Sequence, residues 1–363
     1  MFIAGIVSEA LLYSCFSVLL GSFIICLIPK TVRPEIKIPK SVLLGATLGI
    51  AVFSFLPVLK IVLYLYEDFG LAHTLKSVLT NFEVGKTWIS TGLISLILFI
   101  YLIPIRLEQK PIFALTGLAF TLILVATLGL SSHAATLSKL AGFLTHTAHF
   151  LAVTIWVGIL MVVSWFSRNH DNWLKFLNWF SPLAFLCLVI IGITGISLMN
   201  FHMNVTDYVN VTTVSYGQSL LIKHLAIIPL LVFAFVNSVL IRKKLQKNPS
   251  YNPLPWARLE SVIILVVFSI TGALGQVSPP HELSRMILAE GTSKLFSYFH
   301  PGEINLPLHF SPGIISISLF ILAFLFLALI IMTFIKKAPK ALSLFMSLLF
   351  LLSGYIAFML SIS

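Results

Sequence analysis

Apolar residues run through this chain in long, nearly charge-free stretches separated by short polar breaks, from residue 8 almost to the end. A bilayer core offers backbone amides no water, so each run of about 20 apolar residues must satisfy its own hydrogen bonds as a helix. Such runs fall near 8–28, 41–66, 87–105, 111–131, 142–167, 173–199, 217–241, 256–276, 311–335 and 340–361. They predict an all-α, polytopic transmembrane bundle of about ten helices, which returns both termini to one side. Pro57, Pro182 and Pro229 fall inside runs and predict kinks. Gly192 and Gly195 offer a smooth face for close helix packing. The long break from about 277 to 310 holds Pro279, Pro280, His281, Glu282, Glu290, His300, Glu303 and His309. Within it, Leu283, Met286, Ile287, Leu295 and Phe296 predict one amphipathic helix lying on the membrane surface.

Composition narrows the class. The chain is 58% hydrophobic and 10% charged, whereas a soluble domain carries about a quarter charged residues. A water-soluble enzyme is excluded. The net charge of +11 suggests nucleic acid only until its placement is read. Alternate connections hold Lys30, Arg33, Lys37 and Lys40, then Arg106 and Lys110, then Arg168 and Lys175. The same series continues with Arg242, Lys243, Lys244, Lys247 and Arg258, and ends with Lys336, Lys337 and Lys340. The other side holds Lys76, Lys86, Lys139, Arg285 and Lys294, while Lys60 and Lys223 lie within runs. The positive-inside rule puts the first set in the cytoplasm and both termini outside, a topology signal rather than a nucleic-acid footprint. Glu9 is the one charge before Lys30, so residues 8–28 lack the basic start of a cleavable signal and read as a retained helix. Cys15, Cys26 and Cys187 are far apart, without CxxC spacing, and give neither a disulfide framework nor a zinc site.

The histidines carry the candidate chemistry. In this topology nine of the ten lie at or near the outer face, and only His170 is cytoplasmic. His146 and His149 are three residues apart near the outer end of the fifth helix, so they face nearly the same way. His133 follows the fourth helix, His202 ends the sixth between Met199 and Met203, and His224 lies about two turns into the seventh beside Lys223. Imidazole is the commonest metal ligand, and thioethers select soft copper(I). His146, His149 and His224 read as core ligands, with His133, His202, Met199 and Met203 as a funnel above them. Calcium, magnesium or manganese would want more carboxylates than the nearby Asp207; zinc is not separated from copper by residue types. Taken singly, each outer histidine is better explained by interfacial hydrogen bonding, and Met203 by apolar packing. Lys223 reads as a snorkelling residue, an anion partner or a gate, and Trp156, two turns below His149, as a pocket floor or core filler.

The motifs resemble those of the CopD/PcoD copper-resistance and copper-uptake membrane proteins. Ser132-His133-Ala134 precedes His146-Thr147-Ala148-His149 and Trp156-Val157-Gly158; then come Phe180-Ser181-Pro182-Leu183-Ala184 and Thr194-Gly195. Tyr216-Gly217-Gln218-Ser219-Leu220-Leu221-Ile222-Lys223, Leu259-Glu260 and Pro279-Pro280 complete the order. Ile159 and Trp179 depart from the family pattern, and Ile159 puts close packing near Gly158 in question. The resemblance covers about 130–282 and divides the chain into a four-helix region 1–131, a CopD-like core 132–282, and an outer loop with two anchoring helices 283–363. It implies copper import across a bacterial-type cytoplasmic membrane, with membrane lipid around it and a separate CopC-type donor outside. With no P-loop, the expectation is a transporter and not an enzyme. The alternatives are a haem b protein or metal reductase using His149 and His224 as axial ligands, and a copper-delivery assembly factor that does not transport.

Overall fold

The computed structural model describes residues 1–280, 282–302 and 304–363; His281 and Glu303 of the long loop lie outside the described residues. All ten expected spans are present as helices long and apolar enough to cross a membrane. The chain is a multi-pass helical membrane protein. Packing divides it into two compact units, Met1–Phe201 and His202–Ser363. That division follows helix contacts, whereas the three segments read from the sequence follow motif coverage.

The first unit is built on α1 (Phe2–Leu27), which packs against α2 (Lys40–Phe53), α6 (Pro111–Leu130) and α8 (Lys139–Phe166). Its core gathers Phe16, Leu19, Leu20, Phe23, Ile50, Leu98, Leu124 and Phe150. The second span breaks where Pro57 predicts: α2 ends at Phe53 and α3 (Leu56–Phe69) restarts with the proline in its first turn, where a missing N–H costs least. Residues 71–81, between the second and third apolar runs, form α4 (Leu71–Asn81), whose Val78 is buried with Val58 and Val62 of α3. The span α5 (Glu83–Leu102) follows, and α7 (His133–Leu137) is a single capped turn before α8. The long α9 (Trp173–His202) carries Pro182 without interruption.

Close packing at Gly158 is kept despite Ile159. A methyl group on Gly158 would sit inside the Ser17 carbonyl, and one on Gly21 inside the Gly158 carbonyl. The two glycines let the backbones of α1 and α8 meet, as small residues do within membranes. The Gly192–Gly195 face needs correction. Gly192 has open space where a side chain would project, and Gly195 faces only the His149 ring at 3.6 Å. Among the described residues that face meets a side chain of α8, not a closely packed backbone.

The second unit contains α10 (Tyr208–Val211), α11 (Ser215–Phe235), a π-helical segment (Val236–Leu240), α12 (Ile241–Lys247) and α13 (Leu254–Leu274). After them come α14 (Leu283–Glu290), α15 (Lys294–Phe299), α16 (Ile314–Ile335) and α17 (Lys340–Met359). The single surface helix expected over 283–296 is instead two short helices. Leu288 is 87% exposed, but Phe296 is fully buried against Leu221, Met359 and Ile362. The amphipathic pattern was real, yet its strongest apolar residue serves the protein core. The last span is likewise more than an anchor: Tyr355 donates to Gln218 Oε1, and His300 Nε2 lies 2.9 Å from the Met359 carbonyl.

Candidate metal-handling site

The helical period sets His146 and His149 on neighbouring faces of α8, His149 about 15 Å along the helix from its N-terminal end. Because α8 and α9 run antiparallel through a short connection, this depth on α8 meets the C-terminal part of α9. His149 Nδ1 lies 2.9 Å from Thr194 Oγ1. The Thr194 hydroxyl has one proton, which it donates back to the Ile190 carbonyl of its own helix. With that proton committed, Thr194 Oγ1 is placed to accept from His149 Nδ1, the arrangement that puts the lone pair on Nε2. Metal-ligating histidines commonly have such a partner on the ring nitrogen that does not face the metal, which makes His149 a candidate ligand.

His146 is half-buried, stacked 6.4 Å from Phe150, and its Nδ1 is buried without a hydrogen-bond partner. The neighbouring Thr147 Oγ1 is also buried and unpartnered, close against Gly129 of α6. Buried polar atoms are nearly always paired, and an orphan costs about 1–3 kcal/mol. Trp156 is 7% exposed and belongs to the core of α8. His133 opens α7 and is exposed, and Met199 is half-buried on α9.

The second unit places the remaining candidates. His202 is half-buried with its ring 6.3 Å from that of Tyr216, and Met203 is 7% exposed. His224 is exposed on α11 and stacked on Tyr208, whose hydroxyl lies 2.8 Å from His224 Nδ1. Burial pushes the Tyr208 phenol up, so it stays protonated at neutral pH. Lys223 is half-buried beside it. Among the described residues, no three His, Cys, Asp or Glu side chains lie close enough together to hold a metal ion. What each unit shows is paired geometry: His149 with Thr194 in one, His224 with Tyr208 in the other.

Two of these partners show how far a sequence carries. Thr194 stood inside the quoted motif, and its place 45 residues from His149 gave it no local role. Tyr208 had no signal at all, because a loop aromatic is indistinguishable from an interfacial one until α10 folds over α11.

A multi-pass helical bundle with half-buried imidazoles on its spans defines a membrane protein whose histidines are candidates for a functional role. The comparisons with known families give that class a name. Residues 3–143 match the family described as Copper resistance protein D-like, N-terminal domain, and residues 174–274 match Copper resistance protein D. The chain belongs to the CopD copper-resistance family. The matches reach further than the motifs indicated, since they take in the first helices, and they leave residues 144–173, with His146 and His149, outside both. No curated protein and no solved structure matches the chain.

Proposed function

We propose that this copper-resistance membrane protein imports copper, binding it as copper(I) from the outer side through His146 and His149. The observation that carries this reading is the orphaned Nδ1 of His146, one turn from an imidazole whose Thr194 partner leaves Nε2 basic. Two imidazoles supply two ligands. His133 and Met199 are the first unit's candidates for the approaching ion, and His202, Met203 and His224 are those of the second. Imidazole and thioether together suit copper(I) better than a hard cation. In this reading the basic connections face the cytoplasm and both termini lie outside, in a cytoplasmic membrane of bacterial type. A separate extracytoplasmic protein of CopC type delivers the ion by ligand exchange, and no covalent chemistry is catalysed.

The test is copper(I) loading of detergent-purified protein, compared with the His146→Ala/His149→Ala double variant. Stoichiometric copper in the native chain, lost in a variant with an unchanged gel-filtration profile, is the expected result. Equal copper in both sinks the assignment. Copper uptake into proteoliposomes separates import from delivery without transport, and a Soret band in the purified protein would move the histidines to haem ligation.

A further inference from the structure

The end of the first unit opposite the histidines contains a cavity of about 510 Å³. Four segments form it: the end of α1, the 30–40 connection, the 103–108 connection and the 168–172 connection. Hydrogen bonds tie two of them together, the 30–40 and 168–172 connections. Lys37 N donates to the Phe166 carbonyl (3.0 Å), Arg168 N to the Glu35 carbonyl (2.8 Å), and Glu35 N to Asn169 Oδ1 (3.1 Å). Trp179 Nε1 of α9 donates to the Val32 carbonyl (3.1 Å). Basic residues at this end of a membrane protein are expected from topology alone. A cavity whose walls are braced by cross-connections is not.

Six basic side chains line it: Lys30, Arg33, Lys37, Lys40, Arg106 and Arg168. Three carboxylates oppose them, of which Glu35 is engaged by Arg168 at 3.4 Å. Arg33 is the distinctive member. It is only 7% exposed, with Nε held by the Ile28 carbonyl (2.9 Å) and Nη1 by that of Pro34 (3.3 Å). None of the ion pairs among the described residues includes it. Burial pushes its pKa down, opposed by Cys26 and Glu108, yet a guanidinium stays charged. A buried cation without an ion pair is costly unless an anion joins it. Apolar residues, among them Ile25, Leu43 and Leu102, complete the wall.

We propose that this cavity is a binding site for a phosphate-bearing anion, supplied either by a lipid headgroup or by a free phosphate compound. Guanidinium and ammonium groups converging at a membrane face recognise phosphate through charge-assisted hydrogen bonds. The apolar wall would lie along an acyl chain when the ligand is a lipid.

The test is native mass spectrometry of the full-length protein with dioctanoyl phosphatidylglycerol, with dioctanoyl phosphatidylcholine, and with inorganic pyrophosphate as competitor. Two variants accompany it: Lys37→Gln/Arg106→Gln, both exposed on the cavity wall, and Lys336→Gln/Lys337→Gln, basic residues away from it. Saturable phosphatidylglycerol binding about 30-fold weaker in the cavity variant, and unchanged in the other, is expected. Displacement by pyrophosphate assigns the site to the phosphate itself; persistence of the lipid against pyrophosphate assigns it to a lipid headgroup. Equal binding of the two lipids, or equal loss in both variants, overturns the proposal in favour of general surface charge. Neither result depends on copper binding.

Discussion

Replacing Thr194 by valine removes one oxygen and almost nothing else. The side chain keeps its shape and its β-branch, and the Ile190 carbonyl loses only an extra donor. What is lost is the acceptor 2.9 Å from His149 Nδ1. Without it the free protein holds the imidazole in either tautomer. Copper binding through Nε2 must then select the Nδ1–H form with no acceptor opposite it, at a cost of about 1–3 kcal/mol. This agrees with the 10–100-fold loss of metal affinity typical when a ligand's outer partner is removed, roughly 1.4–2.8 kcal/mol. Stability should fall by only about 0.5–1.5 kcal/mol, the net worth of one hydrogen bond. The assay is copper(I) competition with a chromophoric chelator, run beside thermal unfolding. Thr194→Ser keeps the oxygen and should bind as the native chain does. If Thr194→Val binds copper with native affinity, or if serine fails as badly as valine, the tautomer argument is wrong.

Other perturbations test the packing. Gly158→Ala must push α1 and α8 apart, because the new methyl meets the Ser17 backbone, and should cost about 1–3 kcal/mol in thermal unfolding. Gly192→Ala, with open space around it, should leave the transition in place; equal effects would remove the close-approach argument. Glu260 is 3% exposed and accepts from Asn237 Nδ2 at 2.7 Å, beside the Trp256 carbonyl at 3.2 Å. Glu260→Ala should therefore destabilise by about 1–3 kcal/mol, while Glu260→Gln, which keeps a carbonyl acceptor, should cost less; a reversed order on denaturation would contradict the pairing. Phe296→Ala should cost about 3–5 kcal/mol and Leu288→Ser almost nothing. A soluble-face role for both, shown by matching melting curves, would restore the single surface helix.

The sequence by itself determined the ten spans, the break at Pro57 and the class of the protein, because the bilayer imposes one local rule on every crossing segment. Any run long and apolar enough must close its hydrogen bonds within itself, so hydropathy is read without knowing what packs where. His146 and His149 were legible for a similar reason: their spacing fixes a shared face on one helix. Their environments were not. That Thr194 meets the His149 ring, that Gly158 and not Gly192 is the close-packing glycine, and that Phe296 turns inward are all decided between helices. So is the basic cavity, for each connection alone shows a few lysines and arginines obeying a topology rule. Contacts between segments distant in sequence depend on helix register and loop path, which no periodicity encodes. Tertiary structure turned a list of histidines and basic residues into one imidazole paired with Thr194 and one cavity lined by six basic side chains.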